Sequence, residues 1–441
     1  MSKFMKSLCK IAIPVTLQSM LQASFSIVDQ IMIGQLGETN ISAVGLCGNF
    51  SLIFSVVIGA VSTVAGILIA QFIGAEDAKE AWCSFDVSLI CGIMISVLFL
   101  FAAGVFPSRI LGMYTKDVSI VNTGAVYFRI VAFSYIPMAV SNILSSWLRC
   151  KEHATIPFLA SFGAVAVNTG LNYLLIFGKL GLPCLGIKGA AVATVISQLF
   201  NLVFIVIGLI LCIRKDKDKP VWSLHFSKIT IKDYLIMIMP ILISEFLWSL
   251  GQNVESAVYG HLGTSNLAAY TLTCPIQGLI VGALSGLSAA AGVMVGKRLG
   301  RKEYDEAYTE SKKIMYAGLA AVSTLLILLA GVYTGLYRVD DSVKALGKIL
   351  LIVFALYAPV KVENMILGGG IVRSGGNTKI IMVIDIVGTW CIGIPLCLLA
   401  AYVFKWGIVG VYTLVTTEEI FRLVVSLVIF KRRKWMISLS N

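Results

Sequence analysis

Apolar stretches long enough to cross a lipid bilayer follow one another along almost the whole 441-residue chain, separated by short polar or Gly/Pro-containing breaks. A bilayer offers the backbone no water, so every crossing must satisfy its own N–H and C=O groups. The runs are continuous rather than alternating, which selects helices over the strands of a β-barrel. At roughly 20 apolar residues per crossing they give about twelve spans, at roughly 8–34, 41–72, 84–106, 118–147, 155–178, 187–213, 231–260, 266–298, 312–336, 342–368, 377–401 and 406–430. Charged residues make up only 13% of the chain and apolar ones 58%, which argues against a soluble enzyme. The expectation is an all-α polytopic membrane protein.

The net charge of +12, from 35 Lys and Arg against 23 Asp and Glu, would suggest nucleic acid in a soluble protein. Here loop position explains it, and no nucleic acid partner is expected. With a cytoplasmic N-terminus, Lys and Arg are about threefold more frequent in inner than in outer loops, which predicts both termini in the cytoplasm. Met1 to Lys10 is basic and leads into an apolar run, as in a signal peptide, but Pro14, Asp29 and several Gln and Ser residues mark a retained first helix. The 10 cysteines contain no C-x-x-C pair and read as small hydrophobes.

The longest hydrophilic interruption carries KDKDKP and reads as a linker, 214–230, between an N-terminal lobe, 1–213, and a C-terminal lobe, 231–441. Residues 14–81 can be laid without a gap on 240–307, an offset of 226: Pro14 meets Pro240, Asp29 meets Glu255, and the G-x-L-G at Gly34–Gly37 meets that at Gly260–Gly263. Gly74 meets Gly300 at the same offset, while Arg149 meets Arg373 at 224. Two six-helix lobes starting on the same side of the membrane predict parallel repeats about a pseudo-two-fold axis along the membrane normal, the plan of a transporter.

Ionisable groups inside a membrane are costly and so are functional candidates. Asp29 shares its helix with Gln18 and Gln22 and follows Pro14, which removes one backbone hydrogen bond and can bend the helix. Asn168 and Asn172 are spaced i, i+4 on one face, and Thr194 sits in a small-residue stretch. With Asp29 they make a candidate oxygen shell for Na⁺ or a cage around a protonatable carboxylate; the competing reading is polar glue between helices. The second half offers Glu245, Glu255, Glu363 and Asp385 as a second acidic site or as groups for positively charged substrates. Glu255 falls near the outer end of its span, where water would solvate it, and Glu418/Arg422 has i, i+4 geometry for a structural ion pair. Tyr135, Gln22 and Trp248 are candidate cavity-lining residues. No P-loop is present and the three histidines lack metal-ligand spacing, so no cofactor is expected and an ion gradient is the expected energy source.

IPVTLQSMLQASFSIVDQIMIGQLG, LNYLLIFG after Asn168, GIKGAAVATVISQ, WLRCKEHATIP and IVRSGGNTKI, in this order and spacing, resemble the multidrug and toxin extrusion (MATE) family over nearly the whole chain. The resemblance implies a cavity between two lobes and export of cationic or amphiphilic compounds in exchange for H⁺ or Na⁺. It further implies a monomer in the cytoplasmic membrane of a prokaryote and no enzymatic activity. Pro14 and Asp29 match the bending first helix of one branch, and Asn168, Asn172 and Thr194 its cation-site partners. Asn172 departs from members with Asp there, and Glu245 is displaced from the helix-seven acid of the other branch. A flippase for lipid-linked saccharides is the alternative within the same superfamily.

Overall fold

The computed structural model describes residues 3–181, 183–216, 220, 231–329 and 341–439. Apart from 214–216 and 220, the expected linker 214–230 lies outside the described residues. The first half contains α1 Lys3–Gly34, α2 Glu38–Gly74, α3 Ala78–Val105, α4 Pro107–Gly112, α5 Val118–Val131, α6 Tyr135–Cys150, α7 Thr155–Phe177 and α8 Ile187–Asp216. The second contains α9 Ile231–His261, α10 Thr264–Gly300, α11 Tyr304–Leu329, α12 Asp341–Asn364, α13 Thr378–Ile386, α14 Ile394–Leu398 and α15 Ile408–Arg432. Among the described residues no strand occurs.

Nine of the described helical stretches are long and apolar enough to cross a membrane. One is Val118–Cys150, in which a single 3₁₀ turn at Ala132–Ser134 joins α5 to α6 just before Pro137. Helix α15 is as long, but Glu418, Glu419 and Arg422 interrupt its apolar face. In the second half π-helical turns at Met365–Val372, Val387–Gly393 and Leu399–Val403 continue α12 and flank α14. Such turns leave the regular i→i−4 ladder and are frequent at functional sites.

By contact the chain forms two compact units: Ile13–Ile69 with Ala78–Ser227, and Lys228–Asn441 with Met1–Ala12 and Ala70–Asp77. The end of α2 therefore groups with the second half, and the reason is local. Gly74 leaves no room for a Cβ against the Lys297 carbonyl of α10, and Gly300 leaves none against the Gln71 carbonyl of α2. The offset of 226 converts Gly74 into Gly300 and Gln71 into Lys297, so the contact is reciprocal, as in a two-fold interface. The Gln71 side chain adds bonds from Nε2 to the carbonyls of Ser374 (2.6 Å) and Ile437 (3.2 Å) and accepts from the Leu439 N–H (2.7 Å).

The repeat is visible in the backbone at the same offset. Gly37 and Gly263 both take positive φ, +100° and +128°, at the first interhelical turn of each half. Glu76 and Lys302 occupy the left-handed region at 60° and 62°. The Asn40 side chain donates to the Leu36 carbonyl at 2.7 Å, and that of Asn266 to the Leu262 carbonyl at 2.7 Å.

A methyl group on Gly300 must displace backbone rather than a side-chain tip. Gly300→Ala is expected to destabilise by about 1–3 kcal/mol, read as a lower Tm of the solubilised protein. Gly59→Ala, with nothing within 4 Å of its Cβ, is the control and should leave the Tm unchanged or raised.

Candidate functional site

In the first unit a chain of side-chain hydrogen bonds links α1, α7 and α8. Helix α7 presents Asn168 and Asn172 one turn apart, both buried. It ends at Gly178 in the left-handed conformation (φ +64°), which returns the chain into α8. Gly189 of α8 approaches the Leu175 carbonyl so closely that a Cβ there would lie 2.6 Å from it, and this crossing carries Thr194 and Ser197 to α7. Asn172 Nδ2 donates to Asp29 Oδ1 at 2.6 Å and to Asn168 Oδ1 at 2.9 Å. Asn168 Nδ2 donates to Ser197 Oγ at 3.2 Å and more loosely to Thr194 Oγ1 at 3.5 Å.

The hydroxyl protons are spent on backbone: Thr194 donates to the Ala190 carbonyl (3.0 Å) and Ser197 to the Thr194 carbonyl (2.9 Å). Tyr127, buried on α5, hydrogen bonds Thr194. Asn172 Nδ2 thus serves Asp29 and Asn168, Asn168 Nδ2 serves the two hydroxyls, the hydroxyl protons go to backbone, and one acceptor is left over. Asn172 Oδ1 is buried without a partner, the costly case for a polar atom. A cation beside half-buried Asp29 would satisfy it, and amide and carboxylate oxygens suit a hard ion or a proton. Among the described residues no cluster of His, Cys, Asp and Glu forms a resident metal centre.

Asn168 also reaches a cavity of about 130 Å³ whose wall includes Gln18, Gln22, Ser161, Ser197 and Asn201. Gln18 on α1 donates to Ser161 on α7 at 2.8 Å. Helix α1 runs unbroken through Pro14.

In the second unit a larger cavity, about 360 Å³, is lined by Glu245 and Trp248 of α9, Lys361 of α12, Asp385 of α13, Arg422 of α15 and others. Arg422 binds Glu418 at 3.1 Å, Thr389 at 2.5 Å and, more distantly, Asp385 at 3.8 Å. Asp385 also accepts from the Ser244 hydroxyl. Gly388 and Gly393 leave the space for this group, since a Cβ at either would collide with Arg422 or Glu418. Lys361 lies 3.8 Å from Glu419, and Glu245 3.7 Å from Arg373.

Two expectations differ from what is found. Glu255 is 5% exposed rather than solvated, and the clustered rings of Tyr259, Tyr270 and Tyr412 lie near it toward the C-terminal end of α9. Tyr135 is 1% exposed in the core of the first unit, stacked near Phe54 with its hydroxyl on Ser51 (2.9 Å), and lines neither cavity. Glu363 is buried with both carboxylate oxygens unpartnered and lies outside the larger cavity. Asp29, Asn168 and Asn172 come together, Thr194 joins at the edge, and Glu245, Asp385 and Trp248 share one wall. Ser197 and Tyr127 were not anticipated. Ser197 was findable, one turn beyond Thr194 on the same face; nothing in the sequence around Tyr127 marked it.

Buried carboxylate and amide oxygens inside a repeated helical membrane bundle point to a membrane transporter. The MatE family model matches residues 14–174 and 240–399, two segments whose starts, Pro14 and Pro240, are those of the internal repeat. The chain belongs to the MatE family of multi-pass membrane transporters. It is 23% identical to the "Probable multidrug resistance protein NorM" of Thermotoga maritima over 449 residues, 98% of this chain and 93% of that one. It is 22% identical to the "Uncharacterized transporter YisQ" of Bacillus subtilis, covering 98% of this chain and 95% of that one. A structure described as "Crystal structure of MATE in complex with MaL6" superposes with a TM-score of 0.87 over 98% of this chain and 96% of the other at 19% identity. The fold is thus that of the twelve-helix transporters.

Removing one member of the Arg422 group leaves buried charge without compensation, at about 3–5 kcal/mol. Arg422→Gln is therefore expected to lower the Tm more than the double change Arg422→Gln with Glu418→Gln, and a thermal melt of both variants checks it.

Proposed function

We propose that the protein is a secondary active antiporter that exports cationic or amphiphilic compounds in exchange for H⁺ or Na⁺ by alternating access. The single observation that carries this reading is the hydrogen-bond chain ending on Asp29 with Asn172 Oδ1 left unpartnered. The multidrug resistance names of the relatives in Thermotoga maritima and Neisseria meningitidis support drug efflux as the class of work. In this reading Asp29 takes the ion, Asn172 and Asn168 hold its carboxylate and offer the open amide oxygen, and Thr194 and Ser197 anchor the amides. Pro14 is the place where α1 bends between states. The protein works as a monomer, as two lobes joined by the 214–230 linker, in a prokaryotic cytoplasmic membrane with both termini inside.

An ion can drive transport only through unequal affinity for the two states. Loss of the charge at Asp29 removes the difference in solvation on which that inequality rests. Asp29→Asn is expected to lower ion-driven efflux from proteoliposomes about tenfold or more, with pH and Na⁺ gradients imposed separately to identify the ion. Wild-type drug resistance in cells expressing Asp29→Asn at normal levels would overturn the assignment, as would transport independent of both gradients.

A further inference from the structure

The segment that follows α15 turns back onto the bundle. Arg433 takes the left-handed conformation (φ 56°) just past α15 and reverses the chain. Trp435 is then 0% exposed, with its indole N–H on the Phe430 carbonyl at 3.2 Å. Its ring stacks on Phe430, which itself stacks on Tyr308 of α11. Arg433 lies over the Tyr308 ring and pairs with Asp305 at 2.7 Å. The turn after α12 is shaped to receive this segment. Gly375 leaves no room for a Cβ against the Trp435 carbonyl, and Gly376, at φ +78°, is covered by Leu439.

Gln71, near the end of α2, joins the two. It is fully buried, and both sides of its amide are engaged: Nε2 donates to the carbonyls of Ser374 and Ile437, and Oε1 accepts from the Leu439 N–H. Ile437 and Leu439 lie outside any helix. Next to Gln71, Ala70 faces Gly296 of α10, where a Cβ would lie 3.2 Å from it and 3.9 Å from the Ser374 side chain. The ends of α2 and α10, the turn after α12 and the segment after α15 therefore meet at one place. The glycine contacts there are reciprocal between the halves, but the Gln71 bonds are not, because the offset of 226 turns Gln71 into Lys297.

Helix α2 is divided between the two compact units, with its residues up to Ile69 in one and Ala70–Asp77 in the other. The Gln71 bonds sit just past that division and hold the last turn of α2 to the second half. We propose that residues 436–439, anchored by Trp435, form a clasp that keeps the ends of α2 and α10 together and must let go of Gln71 before those ends can part. The proposal rests on the alternating-access reading, in which this is the cytoplasmic end of both helices. The bonds suit a reversible clasp. They join backbone to one neutral side chain, so release exchanges them for bonds to water at a small net cost. Trp435 stays on Phe430 while the residues beyond it swing away.

The test is hydrogen–deuterium exchange of the purified full-length protein, read by mass spectrometry. In the unaltered protein the amides of residues 436–439 and those of Ala70–Asp77 should exchange together, as one opening unit. Deleting residues 436–441 keeps Trp435 and removes two of the three partners of Gln71. It should speed exchange at the ends of α2 and α10 about tenfold or more and leave the opposite ends, around Gly37 and Gly263, unchanged. Gln71→Met removes all three bonds at similar volume and should do the same. Leu439→Pro removes one N–H and should act in the same direction to a smaller extent; it carries the comparison where the larger changes lower the Tm. Unchanged exchange at Ala70–Asp77 in these variants, acceleration spread evenly over both ends of the helices, or free exchange of residues 436–439 beside protected helix ends would each overturn the clasp. Exchange needs no ion gradient. A clasp that behaves as expected while Asp29→Asn transports normally sinks the antiport reading alone, and unchanged exchange beside an inactive Asp29→Asn sinks the clasp alone.

Discussion

A polar atom removed from water must find a partner inside the protein, and the organisation of both units follows from that demand. It first turns nearly every described residue helical, since a helix satisfies its own backbone. It then acts on side chains. In the first unit Asp29 is served by Asn172, which also donates to Asn168 on the same face of α7, and Asn168 is anchored by hydroxyls whose own protons go to carbonyls of α8. The order of donors leaves one oxygen, Asn172 Oδ1, with nothing to accept. A cation or a hydrogen-bond donor completes such an array, whereas a further acceptor there would add to the deficit.

The second half starts from the same template and meets the demand differently. The offset of 226 that maps Asp29 onto Glu255 brings no amides with it: at the offset of 224 set by Arg149 and Arg373, Asn168 and Asn172 correspond to Ile392 and Leu396. Charge pairing takes over. Arg422 stands between Glu418 and Asp385, in space that Gly388 and Gly393 leave beside the π-helical turn of Val387–Gly393. Glu255 is instead enclosed by tyrosines, with Gln252 reaching it at 3.4 Å. Duplication has kept the helix ends, where Asn40 and Asn266 make the same bond, and has let the interior diverge.

What was legible in the sequence was whatever depends on one helix or on one fixed offset. Asn168 and Asn172 follow from i, i+4 spacing, the Glu418–Arg422 pair likewise, and the repeat from prolines and glycines whose backbone roles tolerate little change. Contacts that require the relative rotation of separate helices were not legible. Tyr127 comes from α5 to Thr194 on α8, and Tyr135 turns into the core although Met138, one turn on, lines the smaller cavity. The charge of the larger cavity is the clearest case. Counting intramembrane acids along the sequence gives a negative interior, yet Lys361, Arg373 and Arg422 arrive on the same wall from three different segments and cancel it.

The proposed ion site and the larger cavity share no residue: one is built from α1, α5, α7 and α8, the other from helices of the second half. Exchange between them therefore cannot run by direct displacement, in which ion and ligand compete for one carboxylate. It requires a conformational equilibrium that both ligands bias, and the coupling is then reciprocal: whatever factor the ion applies to ligand affinity, the ligand applies to the ion.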